Sequence, residues 1–198
     1  GSNGSISLTE EVFAILKDKQ IIGTTLTQKG KKTSGIVGKP VALNREFTYS
    51  DSVLIDTIRL QQMMLRPGKK PSLGNSLLSR FRVTIDWDDR QLHFSPTGEK
   101  LDPVKITGFG LGIDADQGIH VQSVVEPSNA FLAGVRTNMK VTKVDTLDFE
   151  GGAGFCDCVH HEYGDRIFLE AIDSSGQKMQ FHFEKLPIIG NLINNKAN

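Results

Sequence analysis

Some stretches of this sequence hold residue types at spacings that can do chemistry. Gly108-Phe-Gly-Leu-Gly-Ile113 alternates glycine with large apolar residues. Without Cβ atoms in the way, consecutive backbone N–H groups can converge there and seat a carboxylate. The same glycines equally serve a close approach of two strands with no ligand. A dinucleotide loop is excluded, because such a loop opens a helix whereas Ile113 leads into a turn and a strand. Cys156-Asp-Cys158-Val-His160-His161 gathers soft and borderline metal ligands in one short run. On a helix Cys156 and His160 would share a face while Cys158 points away, so cysteines packed in a core are the plainer account, and no metal site is expected. Asp114 and Asp116 lack the spacing of a calcium loop and fit a turn. Asp56, in Leu54-Ile-Asp-Thr-Ile58, reads as a solvent-facing strand residue, since Ile58 stands where a tight catalytic loop needs glycine. Asp86, Asp88 and Asp89 fit a hairpin and its turn.

Composition narrows the partners. The 198 residues carry 23 Lys plus Arg against 23 Asp plus Glu, so no net field draws the chain to nucleic acid or to an anionic membrane. The basic run Lys29-Gly-Lys-Lys32 reads as a hairpin tip. No apolar stretch approaches the roughly 18–20 residues of a membrane helix, and the chain as given is expected to be soluble. No leader opens it, but one removed before residue 1 would leave no trace, so localisation is unknown. Cys156 and Cys158 stand too close for an unstrained bridge in a strand and give no disulfide framework. No cofactor is expected.

The elements that must position these residues are mostly strands. Ser7-Leu-Thr-Glu10 has capping-box spacing and predicts a helix with Leu8, Val12, Ile15 and Leu16 on its apolar face, ending near Lys19 or Gln20. Residues 21–27, 33–43 and 47–60 predict a β-meander broken at Gly30, at Gly38-Lys-Pro40 and at a Tyr49-Ser-Asp51 turn. Leu77, Leu78 and Phe81 predict a short helix capped by Asn75 or Ser76. A hairpin of residues 83–87 and 91–94 follows. Ser95-Pro-Thr-Gly-Glu-Lys100 is apolar-free and marks the domain boundary. Beyond it the pattern predicts strand, turn, strand, a short helix from Ser128 to Gly134, a strand at 140–144, a helix near 155–162, and a hairpin of 166–172 with 178–183. The domains are therefore 1–97 and 102–187, with 188–198 as a tail whose Ile188, Ile189, Leu192 and Ile193 could dock as a short helix.

The order of elements after the boundary resembles the PDZ family. The residues that carry the likeness are Gly108-Phe-Gly-Leu-Gly-Ile113, similar to the family's glycine–hydrophobic loop, and Glu126-Pro-Ser-Asn-Ala-Phe-Leu-Ala-Gly-Val135, similar to its first helix segment. The sequence departs from the family at Asn138-Met-Lys140, where many members carry Gly-Asp, and at Thr146-Leu147, where Asn-Gly is common. The resemblance implies a β-sandwich or barrel capped by two helices. It also implies a peptide strand or chain terminus held by Gly108, Phe109, Gly110, Leu111, Gly112 and Ile113, with Val159 and His160 on the facing helix.

Leu73-Gly-Asn-Ser-Leu-Leu-Ser-Arg-Phe81 and the hairpin to Phe94 resemble the closing segment of a retropepsin-like aspartic peptidase lobe, a β-barrel. The opening Gly1-Ser-Asn-Gly-Ser resembles the stretch starting at the glycine of that family's Asp-Thr/Ser-Gly motif. The catalytic aspartate would then lie just before Gly1, with none in this chain, and the chain as given would be inactive. Such an enzyme needs two carboxylates sharing a proton, so a second lobe, upstream or from a partner chain, is implied. The expectation is a fragment of an aspartic endopeptidase with a C-terminal PDZ domain. The alternatives are a non-catalytic binding protein keeping both folds, and a two-domain adaptor unrelated to peptidases. Gly74-Asn-Ser76 is similar to a serine-protease nucleophile loop, but Leu77-Leu78 replace the glycines that would follow.

Overall fold

The computed structural model describes residues 6–32, 41–55, 57–98, 105–114 and 118–187. The chain is mainly β with a few short helices. In chain order the elements are β1 (Ile6–Thr9), α1 (Glu10–Asp18), β2 (Leu26–Lys32), β3 (Val41–Ile55), β4 (Ile58–Gly68), β5 (Ser72–Leu73), α2 (Asn75–Leu78), β6 (Phe81–Asp86) and β7 (Gln91–Pro96). There follow β8 (Lys105–Ile106), β9 (Phe109–Asp114), β10 (Gly118–Glu126), α3 (Asn129–Leu132), β11 (Lys140–Val144), β12 (Leu147–Asp148), α4 (Phe155–His160), β13 (Arg166–Ile172), β14 (Lys178–Glu184) and β15 (Leu186–Pro187). Two compact units result. Among the described residues, one takes 6–25 and 46–98, and the other takes its part of 26–45 together with 105–187. No sheet closes into a barrel among the described residues. The tail 188–198 lies outside them, as do Gly38-Lys-Pro40 and, of the expected Ser95–Lys100 boundary, Glu99 and Lys100, while Ser95 and Pro96 end β7.

The first unit is organised by β1, which pairs in parallel with β4 (Ile6 opposite Leu65) and antiparallel with β5 (Ile6 opposite Leu73). Ser7, expected as a helix cap, sits in this strand and accepts a hydrogen bond from Arg66 Nε at 2.9 Å. The cap is Thr9, whose hydroxyl accepts from Val12 N at 3.3 Å, while Glu10 and Glu11 complement the helix N-terminus. The buried face differs too: Phe13 enters the core, Leu16 packs beside it, and Val12 and Ile15 are exposed. The larger aromatic side chain removes more apolar area from water, and the helix is rotated to suit it. The Tyr49-Ser-Asp51 turn is not formed. β3 runs through it, and the reversal comes where Ile55 pairs with Ile58.

The predicted helix and hairpin after Leu73 are present. Gly74 is the N-cap rather than Asn75 or Ser76, and Leu77 is fully buried with Phe81. β6 and β7 pair with Val83 opposite Phe94 and Ile85 opposite Leu92, which puts every apolar residue of the hairpin on one face. Phe81 and Phe94 meet edge to face at 5.5 Å at its base. Toward the tip the same face is open, and Trp87 is 81% exposed.

In the second unit the strands run β14-β13-β11-β10-β2, with β9 on the remaining edge of β10 and β12 beside β11. The core is Val121, Val124, Val135, Val141, Val144, Ile167, Leu169 and Phe181 with their neighbours, and Cys158 joins it. α3 is capped as expected by Ser128, which accepts from Phe131 N at 3.2 Å. Lys29-Gly-Lys-Lys32 is not a hairpin tip. It belongs to β2, whose residues Thr27 to Gly30 pair with Glu126 to Ser123 of β10. A Cβ on Gly30 would overlap the Gln122 carbonyl oxygen and come within 2.7 Å of Ser123 Cα, so this glycine serves strand contact. Residues 26–45 were expected with the first domain, and this ladder is the reason they group with 105–187.

Glu170 on β13 accepts from Thr142 Oγ1 at 2.8 Å and Gln180 Nε2 at 3.0 Å, and pairs with Lys178 Nζ at 2.7 Å. These partners, Lys178 first, pull its carboxyl from 4.5 down to about 2. The folded value is below the unfolded one, so the contribution is complete above about pH 4.5 and is lost as pH falls through 2. Glu170→Gln is therefore expected to melt below the native protein at neutral pH, and the gap should close on acidification. In urea unfolding, Phe81→Ala is expected to cost ~3–5 kcal/mol and the half-exposed Ile85→Ala about 1 kcal/mol or less.

Candidate functional site

The glycine-rich stretch forms β9, paired along one edge with β10 from Asp114 opposite Gly118 to Phe109 opposite Val124. Among the described residues no strand pairs with its other edge, and α4 packs beside β9. An unpaired strand edge beside a helix makes a trough in which an extended chain can be held by main-chain hydrogen bonds.

Each glycine has a packing reason. Gly108 lies at φ +83°, and a Cβ there would stand 2.5 Å from Ser128 Oγ. A Cβ on Gly110 would stand 2.9 Å from Ser123 Oγ, and one on Gly112 would stand 2.9 Å from Gln122 Cδ. Close strand approach, left open by the sequence, is therefore realised. Phe109 is buried, meeting Tyr163 at 5.9 Å and Phe183 at 5.8 Å, both edge to face. Leu111 packs on the same core, while Ile113, two residues further along the same face, is 59% exposed.

α4 opens at Gly154, whose N–H donates to Asp157 Oδ2 at 2.7 Å. Phe155 and Cys158 face the core. Val159, four residues after Phe155 and so on the same side of the helix, is 66% exposed. His160 is exposed and its Nδ1 lies 2.9 Å from the Cys156 carbonyl. A carbonyl only accepts, so the contact is a hydrogen bond in the tautomer that carries the proton on Nδ1, and that tautomer leaves Nε2 as an acceptor. The helix stops two residues short of the expected Glu162. His161 leaves it in extended conformation to reach Asp145.

That contact was not readable in the sequence. His161 Nε2 lies 3.0 Å from Asp145 Oδ2, and Asp145 Oδ1 accepts from Phe168 N at 2.8 Å. The His161 ring also meets Tyr163 at 4.8 Å, and Tyr163 meets Phe109. The end of α4 is thereby tied to the start of β9. Asp145 itself lies at φ +48°, a left-handed conformation that Asp tolerates better than most residues.

The remaining candidates do not converge. Burial pushes the Cys158 thiol up, Cys156 is exposed, and no group of three metal-ligating side chains forms among the described residues. Asp86 Oδ1 accepts from Asp88 N at 3.0 Å and Asp89 N at 2.9 Å, a turn as expected. Asp56, Asp116 and residues 1–5 lie outside the described residues. No described helix is long and apolar enough to cross a membrane. No protein-family model matches the chain, and no curated protein matches it.

Burial, with Cys158 and Asp145 adding to it, pushes the Tyr163 phenol up to about 12, and burial also raises Tyr49. The fold therefore holds the Tyr163 proton past the ordinary value of 10, and ionisation between 10 and 12 opposes folding. In an alkaline titration followed by phenolate absorbance, the later of two steps should vanish in Tyr163→Phe.

Proposed function

We propose that the unit made of residues 26–45 and 105–187 is a PDZ-like module that holds a peptide strand or chain terminus, and that the chain is a fragment of a retropepsin-like aspartic peptidase. The observation that carries the first part is the unpaired edge of β9 running beside α4. In this reading the peptide pairs with that edge, and its terminal carboxylate sits on N–H groups at the start of β9, where the chain enters the strand through the Gly108 bend. Ile113 and Val159, both exposed and apolar, take an apolar peptide side chain. Nε2 of His160 accepts from a peptide hydroxyl.

Support for the peptidase half is local. Residues 73–94 form the turn, short helix and hairpin that the resemblance implies, with Leu77 and Phe81 buried. A working enzyme would need an aspartate before Gly1 and a second carboxylate from another lobe, the pair sharing one proton so that one activates water while the other donates to the carbonyl. The alternative is a non-catalytic binding protein that keeps both folds. The residue pair preceding Gly1 in the native gene decides between them: Asp-Thr or Asp-Ser supports the peptidase, and the absence of an acid rejects it.

Titration of the full chain with a library of C-terminal peptides should shift the amides of Phe109, Gly110 and Leu111. Val159→Asp is expected to weaken binding at least about tenfold, ~1.4 kcal/mol, without changing the melting temperature, since the side chain is already exposed. A library that leaves those amides unmoved rejects carboxylate binding in the trough.

A further inference from the structure

Two ladders meet on one short stretch of β10. Ser123 is opposite Gly110 of β9 on one side and Gly30 of β2 on the other, and Val124 is likewise opposite Phe109 and Lys29. The β9 ladder slips between Val121 and Ser123, which makes Gln122 the extra residue of a bulge. This bulge is packed from both sides. Its carbonyl oxygen occupies the space a Gly30 Cβ would need, and its side chain occupies that of a Gly112 Cβ. Next to it, Ser123 Oγ fills the space a Gly110 Cβ would take and accepts from Gln28 Nε2 at 3.0 Å. Glycines on two strands remote in sequence are thus required by one adjacent pair, Gln122-Ser123. β2 is held further by the buried Leu26 and by Lys29 Nζ at 2.5 Å from Glu126.

We propose that the outer edge of β10 at Ser123–Glu126 is a second strand-acceptor site, selective for an extended segment with glutamine and, two residues on, glycine. Leu26–Lys32 of this chain fills it, and its occupancy sets the conformation of the Gly108–Ile113 stretch across the strand. The features that select β2 are all local to the two paired segments. Gln28 orients the hydroxyl against which Gly110 packs, and Gly30 lets β2 close over the Gln122 carbonyl. Removing β2 frees the Gln122 carbonyl and the Ser123 hydroxyl on one side, and the same two residues carry the side-chain atoms against which Gly112 and Gly110 of β9 pack. Gln28 is in this sense a positioning residue for the trough, and that link to ligand binding rests on the peptide reading above.

The test is amide exchange measured by NMR on the full chain without peptide, so its outcome does not depend on whether the trough binds anything. Gly30→Val should speed exchange at least about tenfold at residues 123–126 and also at 109–112, with the β13–β14 hairpin unchanged. Gln28→Ala, which removes one hydrogen bond, should shift the Gly110 and Ser123 amides with the fold intact. Lys29→Ala, which removes only a partly exposed ion pair, should move neither. A synthetic peptide spanning residues 24–34, added to the Gly30→Val protein, should restore protection at both segments, and the same peptide with Gln28→Ala should restore less. Faster exchange at 123–126 with 109–112 unmoved overturns the coupling, and no change at 123–126, or no rescue by the peptide, overturns the acceptor site. If Gly30→Val unfolds the hairpin as well, the Gln28→Ala shifts decide: their absence overturns the coupling.

Discussion

The second unit depends on the hydrogen-bonding capacity of β10. Every strand has two edges, and β10 uses both along most of its length: β9 takes one, while β11 and then β2 share the other. Buried Val121 and Val124 anchor it in the core, and Val121 also exchanges main-chain bonds with the loop before β11, donating to Met139 O at 2.9 Å and accepting from Asn138 N at 2.8 Å. A buried strand with an unfilled edge leaves polar groups unpaired in a dry place, a cost large enough that some segment must supply partners. In this chain that segment is β2, drawn from far away in the sequence.

The same constraint changes what the glycines mean. An alternation of glycine and apolar residues invites a reading as an anion seat, yet Gly108, Gly110 and Gly112 each face a side chain that a Cβ would strike. Their presence therefore follows from packing and carries no independent argument for a ligand. The case for one rests on the edge of β9 that β10 does not use and on the helix beside it. Two exposed apolar residues, Ile113 and Val159, stand on elements whose other apolar residues are packed inward. The Asp145–His161–Tyr163–Phe109 chain of contacts then explains how a helix as short as α4, too brief to be stable alone, keeps its place.

In the first unit, α1 and the β6–β7 hairpin show how tertiary burial redistributes a pattern. The hairpin alternates cleanly, but only its base is covered, so Phe81 is a core residue and Ile85, on the same face, is not. In α1 the apolar stripe is broad enough to rotate, and Phe13 wins the buried position from Val12 and Ile15.

Alternation and turn chemistry made much of the fold legible in the sequence. The hairpins 83–94 and 166–183, the Ser128 cap and the short helix after Gly74 all depend on residues within a few positions of one another. The glycine stretch and the helix flanking it were legible for the same reason. Tertiary structure alone decided that Lys29-Gly-Lys-Lys32 is a strand, that residues 26–45 join 105–187, that Thr9 rather than Ser7 caps α1, and that His161 reaches Asp145. In each of these a local signal admits two outcomes, a turn or a close approach, one hydroxyl or the next. The choice falls to whichever satisfies a backbone edge or fills a space that only a distant segment creates.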